Sequence, residues 1–278
     1  CWNNLNGIPS WDQADYLNSA MEHGKALGLI KGGTWEGFKS LFDLSPKIPP
    51  LASLINGTVI SIAGDSPSQA AWSLSLWNGL LIFSIARWGI ALLSRSFAIL
   101  SASFIAFTPI LMQLRSDYVL EISLTAVISL TILSTGYWLH PYKGGKPWQA
   151  LIASLATISA LLIKQSSLLV IIPILIYSSF LVLRDPKKRA NKMMQLFSSF
   201  ALTSIVVIPW LKHNWITFIG GTNRAVIQSA KLEGDPSLLS IENWIWYLKL
   251  MPEQIGSFII ILGISGIILW FCNTKKTI

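Results

Sequence analysis

Residues 166–189 read SSLLVIIPILIYSSFLVLRDPKKR, an apolar run over 166–183 followed at once by a short basic loop. An α-helix needs about 20 mostly apolar residues to cross the hydrocarbon core of a bilayer, so this run predicts a membrane-spanning helix. Short loops rich in Lys and Arg mark the cytosolic side. The whole chain fits this interpretation, because its mean hydropathy is +0.55 and only 12% of its residues are charged, against about a quarter in soluble domains.

Other apolar stretches repeat this pattern, namely 69–88, 96–114, 118–139, 148–163, 195–214 and 255–272. Threading all of them alternately through a bilayer gives one face a group of basic residues that includes Arg87, Arg184 and Lys192, with Asp185 as its only acid. The opposite face receives the remaining twelve of the 13 acidic residues. The sequence therefore predicts an all-α, polytopic transmembrane helix bundle of about seven spans. The basic loops explain the net charge of +8, so no nucleic-acid partner is expected.

The order of polar and apolar segments divides the chain into an external loop with juxtamembrane helices and the catalytic motif (1–68), a transmembrane bundle (69–214), a second external loop (215–253) and a last span with a cytosolic tail (254–278). Apolar residues at helical spacing predict a helix over 12–29, and a second short helix is expected over 35–44. The run 51–63 is short and contains Asn56 and Gly57, so we expect an interfacial or re-entrant helix. A polar external N-terminal segment with no apolar segment before it predicts a fragment that lacks an upstream transmembrane helix.

Lys164 interrupts the long apolar stretch 148–183. A charged residue at the centre of a bilayer costs about 2.5–3.5 kcal/mol on insertion scales. Two helices with Lys164 between them, at the external surface, avoid that cost. We therefore expect a helical break at Lys164.

Asp12 and Asp15 lie three residues apart in the first predicted helix, and so they share one face of it. Two carboxylates on one face can bind a divalent cation or divide the roles of acid and base. The alternative is a solvated first helical turn, where acidic residues favour the helix dipole. No metal ligand is assigned, although a divalent cation is compatible with this pair.

Lys47 lies among prolines in the sequence Ser45-Pro46-Lys47-Ile48-Pro49-Pro50-Leu51. Prolines fix the backbone, so they would hold the ammonium group in place for a phosphate contact. The alternative is a structured juxtamembrane turn whose Lys extends its ammonium group to the interface.

Glu121 enters the apolar run 118–139 by about one turn, where a carboxylate needs a partner or a polar cavity. Arg115 and Lys164 are the candidate partners. Both cations, like Lys212 at the end of 195–214, could hold a phosphate as charge-assisted donors. A structural ion pair and interfacial anchors are the alternatives.

The order of these motifs resembles that in the protein-mannosyltransferase and aminoarabinose-transferase group, which are integral-membrane glycosyltransferases of the GT-C type. Asp12-Gln13-Ala14-Asp15-Tyr16 is similar to its Asp-x-x-x-Tyr signature, and Lys47-Ile48-Pro49-Pro50-Leu51 to its Lys-Pro-Pro-Leu signature. Ile163-Lys164 resembles its Thr-Lys turn between two helices. Ile208-Pro209-Trp210-Leu211 resembles its Pro-Trp helix end. The motifs occur in the same order and open onto one face.

The resemblance implies a sugar donor carried on a polyprenyl phosphate, a lipid, glycan or protein acceptor, and an active site on the periplasmic or external face of a membrane, most simply a bacterial inner or plasma membrane. It implies Asp12 as the catalytic acidic residue and Glu121 as a second. Gln13 departs from the family's acidic pair, so Asp15 would supply the other local carboxylate. The substrate-binding residues implied by the resemblance and by the motifs around it are Tyr16, Lys47, Pro49, Pro50, Arg115, Asp117 and Lys164. Ile48, which is inserted into the proline motif, changes the placement of Lys47.

Two other classes of protein are compatible with parts of this sequence. A transporter or flippase for lipid-linked sugars would explain many spans and the membrane-embedded Glu121, but it predicts pseudo-symmetric halves that the sequence does not display. A non-catalytic assembly subunit is the third reading. Because the polar candidates concentrate at one face, the sequence favours the glycosyltransferase.

Overall fold

The computed structural model describes residues 11–29, 41–44, 46–64, 67–140, 143–224, 228, 230–234, 236 and 240–274. Nearly all of these residues are helical, and no strand occurs within those ranges. The prediction of an all-α polytopic bundle is confirmed. Most of the predicted helix over 35–44 lies outside the described residues, although its end at 41–43 is helical.

The helices are α1 (Trp11–Leu29), α2 (Leu51–Ala63), α3 (Pro67–Leu92), α4 (Arg95–Phe107), α5 (Pro109–Leu114), α6 (Glu121–Leu139), α7 (Pro147–Leu161), α8 (Leu168–Arg184), α9 (Arg189–Asn223), α10 (Ala230–Glu233), α11 (Ile241–Met251) and α12 (Ser257–Thr274). A 3-10 turn over Gln165–Ser167 precedes α8, and a π-helical turn over Pro252–Gly256 joins α11 to α12. The first helix and the break at Lys164 match the expectations from the sequence.

Some helices are long and apolar enough to cross a membrane, namely Gln69–Leu92, Glu121–Leu139, Gln165–Arg184, Arg189–Asn223 and Ile241–Leu269. The protein is an integral membrane protein. Two predicted spans form shorter helices, because 148–163 ends at Leu161 and 96–114 divides into α4 and α5. The division occurs at Thr108, whose extended backbone (φ −64°, ψ 124°) is the conformation that a following proline favours.

The segment 215–253, predicted as a loop, contains more helix than the sequence suggested. α9 continues to Asn223 and includes Pro209, while the Trp-rich run after Ser240 forms α11. The Ser240 hydroxyl caps this helix by accepting a hydrogen bond from the Asn243 backbone N–H.

The main hydrophobic core lies at one end of the bundle, where α1 and α2 pack on α3, α6 and α7. Its fully buried side chains include Leu81, Ile122 and Ile163. The Trp77 indole N–H donates to the Asn56 side-chain oxygen at 2.7 Å, which satisfies the polar group that made 51–63 unsuitable as a span. We call this the site end, since Glu121 and Lys164 lie there.

The opposite end is called the basic end. It contains Arg87 in the last turns of α3, Arg184 at the end of α8, Lys187 and Lys188 in the turn that follows, and Lys192 in the first turn of α9. Asp185 accepts a hydrogen bond from the Lys192 ammonium group at 2.9 Å and from the backbone N–H of Lys188 at 3.0 Å. These contacts, with that of Lys192 the largest, lower the pKa of the Asp185 carboxyl. The acid therefore ties the start of α9 to the end of α8.

Two glycines set the distance between α1 and α2. A Cβ atom built on Gly57 would lie 2.3 Å from the carbonyl oxygen of Ala20, and one built on Gly24 would lie 2.6 Å from that of Gly57. Real Cβ atoms do not approach backbone atoms so closely, and the backbone cannot yield as a flexible side chain would. Both positions therefore require glycine for α1 to lie on α2.

We predict that Gly57→Ala destabilises the protein by about 1–3 kcal/mol, the usual cost of overpacking, because the new methyl group must separate α1 from α2. Thermal unfolding of the purified protein in detergent measures this. Gly79→Ala is the matched control, since a Cβ at Gly79 meets no atom within 4 Å and alanine favours a helix over glycine by up to about 1 kcal/mol. Equal midpoints for the two variants would contradict the prediction.

Candidate functional site

The first turns of α1 carry Asp12 and Asp15, both exposed, followed by the half-buried Tyr16. The helix forms as the sequence predicts, so the two carboxylates share a face. Tyr16 packs its ring against the main core. This ring anchors the exposed acidic turn to the bundle.

Tyr16 brings three predicted acidic residues together. Burial, and after it the negative charges of Glu121, Asp12 and Asp15, together raise the pKa of Tyr16 to about 12. Tyr16 packs against the core cluster that contains Leu120 and Ile122, the residues on either side of Glu121. The first turn of α6 and the acidic turn of α1 therefore adjoin the same core, although more than a hundred residues separate them in sequence. The Tyr16 hydroxyl therefore remains protonated, and able to donate a hydrogen bond, at any physiological pH.

Glu121 forms an ion pair with the Lys164 ammonium group. Glu121 begins α6, and Lys164 lies in extended backbone (φ −157°, ψ 140°) between α7 and the 3-10 turn. The side chains retain 42% and 27% of their exposure respectively, so a polar ligand can still reach both. Of the two partners that the sequence offers for Glu121, the structure pairs it with Lys164.

Arg115 contacts the end of a neighbouring helix instead. Its guanidinium group donates to the carbonyl oxygens of Ala106 at 2.7 Å and Ile105 at 3.3 Å, and to the Asn78 side-chain oxygen at 3.0 Å. The last carbonyl groups of a helix have no partner within that helix, so Arg115 caps α4 and joins it to α3. Burial lowers the pKa of Arg115. Asp117 is half-buried in the turn that follows, where its backbone N–H donates to the Gln113 carbonyl oxygen at 3.1 Å.

The proline motif lies against the Lys164 turn. Pro49 and Pro50 are buried, and the backbone N–H of Leu51 donates to the carbonyl oxygen of Leu162 at 2.9 Å. Lys47 is exposed. Its position just before the buried prolines brings it to the same end of the bundle as Lys164.

One contact of this region was not predicted from the sequence. The His213 side chain of α9 pairs with Asp43, and the Asn214 amide donates to the carbonyl oxygen of Phe42 at 3.2 Å. The Lys47 side chain lies about 4.0 Å from the position of a Cβ on Gly221, farther along α9. The segment before the proline motif therefore rests on α9. Its partners are some 170 residues away in sequence, and no local pattern marks such a pair.

The arrangement offers exposed carboxylates on α1, a partly exposed carboxylate and ammonium pair, and a second exposed ammonium group on the proline motif. Carboxylates can accept protons from an attacking group, and ammonium groups can bind phosphate through charge-assisted hydrogen bonds. Within the described ranges, no three His, Cys, Asp or Glu side chains are grouped as metal ligands would be. This chemistry suits the transfer of a group from a phosphate.

We predict that Arg115→Gln lowers stability by about 1.5–3 kcal/mol, the usual value of hydrogen bonds to a charged group, because α4 loses its C-terminal cap. Arg95→Gln is the control, since Arg95 is an exposed cation at the other end of the same helix. Thermal unfolding of both variants tests this, and a destabilisation of the same size in each would contradict it.

Comparison with known families places these residues in a wider context. The family described as dolichyl-phosphate-mannose-protein mannosyltransferase matches residues 47–213, more than half of the chain. The matched region includes the proline motif, Glu121 and Lys164, whereas α1 precedes it. No curated protein and no solved structure matches the chain. Because of this match, the chain belongs to the dolichyl-phosphate-mannose-protein mannosyltransferase family, whose members are membrane glycosyltransferases of the GT-C type.

Proposed function

We propose that the protein transfers a sugar from a polyprenyl-phosphate donor to a hydroxyl or amine group of a lipid, glycan or protein at the non-cytosolic face of the membrane. The observation that carries the proposal is the ion pair of Glu121 with Lys164, which adjoins the same core as Tyr16 in the acidic turn of Asp12 and Asp15. Family membership supports the reaction class. The positive-inside rule supports the sidedness, because the basic end lies opposite this group.

In this proposal Lys164 and Lys47 bind the phosphate of the donor. Glu121 holds the Lys164 ammonium group at the helix break before the donor arrives. As the bond between the sugar and the phosphate breaks, negative charge grows on the departing polyprenyl phosphate. Cations that are already in position stabilise this charge without the cost of reorganising water.

A cleft among α6, α7, α8 and α9 supports a lipid-linked donor. Its volume is about 630 Å³ and its lining is mostly apolar. Leu161 and Leu168, on either side of Lys164, line one end, while Trp138 and Leu183 line the other. From Leu168 to Leu183 the rise of α8 is about 22 Å. A prenyl chain lying in this cleft would keep its phosphate beside Lys164.

Asp12 is the general base of the proposed reaction. It accepts the proton of the acceptor hydroxyl or amine while that group attacks the anomeric carbon, and the electron pair of the broken bond leaves with the polyprenyl phosphate. One direct displacement inverts the anomeric centre. Asp15 assists as the neighbouring carboxylate, and the neutral Tyr16 hydroxyl donates a hydrogen bond to the sugar or to the acceptor.

We predict that Asp12→Asn lowers the turnover number by about 10²–10⁴-fold, the usual contribution of a general base, with a folded protein. The assay incubates membranes with radiolabelled polyprenyl-phosphate mannose and follows the label into acceptor. Glu22→Gln is the control, because Glu22 is an exposed carboxylate farther along the same helix.

Near-normal transfer by Asp12→Asn would remove Asp12 from this role. Movement of intact labelled lipid across the bilayer, with no transfer or release of sugar, would instead identify a flippase. If the unchanged protein neither transfers the sugar nor moves the lipid across the bilayer, the result favours an assembly subunit.

We also predict that Lys164→Gln lowers kcat/KM for the donor by about 10- to 100-fold, because one charge-assisted hydrogen bond to phosphate is lost. Lys164→Arg should recover part of this loss, since the charge remains. Lys25→Gln, which removes an exposed cation from α1, is the control. An unchanged KM and an unchanged kcat in Lys164→Gln would contradict the assignment of the phosphate site.

A further inference from the structure

A second apolar cleft lies toward the basic end, among α3, α6 and α8. Its volume is about 370 Å³. Its walls are mainly apolar and include Leu92 of α3, Ile132 of α6, and Ile174 and Tyr177 of α8. α8 also lines the larger cleft described above, and the two clefts share Thr135, Ile174 and Ser178 in their walls.

Gly136 gives the second cleft its depth. A Cβ atom at this position of α6 would meet no atom within 4 Å, so open space lies directly above the backbone. Beside it, Tyr177 is 61% exposed and Leu92 is 65% exposed. The cleft therefore opens sideways, toward the surroundings of the bundle, where membrane lipid lies.

Two arginines mark the basic end of the cleft. One guanidinium nitrogen of Arg87 donates to the Tyr137 hydroxyl at 3.4 Å, and its Cζ lies 5.9 Å from the centroid of that ring. The Cζ of Arg184 lies 4.2 Å from the centroid of the Phe180 ring. Tyr137 and Tyr177 line the cleft, and Arg184 follows Tyr177 by seven residues, which is about two helical turns and so the same side of α8.

These guanidinium groups keep hydrogen-bonding capacity. Arg87 and Arg184 are both exposed, and a guanidinium group has five N–H donors in a planar fork that fits the oxygens of a phosphate. The aromatic contacts hold each guanidinium group in place and leave several of its N–H donors available to a ligand. Exposed cations above an apolar cleft match a ligand with an anionic head and a hydrocarbon tail.

We propose that this cleft binds an anionic phospholipid, with an acyl chain against Gly136 and with the phosphate at Arg87 and Arg184. Basic pockets between transmembrane helices on the cytosolic side bind anionic lipid headgroups, and that leaflet is rich in such lipids. The bound lipid joins α3, α6 and α8 at the end of the bundle that lies away from the main core. The site is independent of the proposed transfer reaction.

Charge argues against a second copy of the chain in this cleft. A copy in the same membrane orientation would place its own basic end beside Arg87 and Arg184. Asp185, the acid at this end, already binds its own Lys192 at 2.9 Å. The approach would therefore oppose like charges, whereas an anionic lipid neutralises them.

The test compares phosphatidylglycerol with phosphatidylcholine, added to the intact purified protein in detergent, and measures apparent affinity from the shift of the thermal midpoint. We expect phosphatidylglycerol to bind more tightly. One arginine near an anionic lipid is worth about a fivefold change in affinity, so Arg87→Gln with Arg184→Gln should weaken phosphatidylglycerol binding by about 25-fold. Arg95→Gln, another exposed cation where α4 begins at the basic end, should leave it unchanged.

Gly136→Phe fills the cleft and should abolish the preference for phosphatidylglycerol, whereas Gly136→Ala should keep it, because a methyl group there meets open space. Unchanged lipid binding by the double arginine variant would overturn the proposal, as would equal affinity for the two lipids in the unchanged protein. A loss of self-association in Gly136→Phe, with no effect on lipid, would identify a second copy as the occupant. Should Gly136→Phe fail to fold, the arginine variants decide the question alone.

Discussion

A carboxylate at the start of an apolar helix is stabilised by a positive partner, and in this protein that contact joins three helices. Glu121 begins α6, while Lys164 interrupts what would otherwise be one long hydrophobic helix between α7 and α8. Both charges lie where an apolar helix begins or breaks, and each favours an opposite charge beside it. Their ion pair draws the start of one helix to the break between the others, and the proline motif then attaches to the same break through the bond from Leu51 to Leu162. The other polar groups of the site lie at the same end of the bundle as this ion pair.

The sequence predicts those features whose causes are local. The break at Lys164, the helix that carries Asp12 and Asp15, and the helix over 51–63 all follow from hydrophobic spacing and from the cost of a charge in lipid. The division between α4 and α5 had a local cause too, since Pro109 disfavours helix in the residue before it. The apolar residues on both sides of Pro109 nevertheless predict one continuous span over 96–114.

Features that depend on distant partners were not predicted. The pairing of Asp43 with His213, the capping of α4 by Arg115, and the extension of α9 past residue 214 depend on which helices become neighbours. Side-chain chemistry alone gave Arg115 and Lys164 equal standing as partners for Glu121. Only packing separates them, because Arg115 lies within reach of carbonyl groups at the end of α4.

The length of α9 has a consequence for how substrates arrive. From Arg189 to His213 the helix rises about 36 Å, which exceeds the roughly 30 Å thickness of the hydrocarbon layer. If α9 stands near the membrane normal, the part from His213 onward projects into the headgroup zone, where Phe42 and Asp43 contact it. Water and lipid would then meet along this part of α9. Under the proposed function, a hydrophilic acceptor would reach it from the aqueous side, whereas a lipid-linked donor would enter laterally from the bilayer.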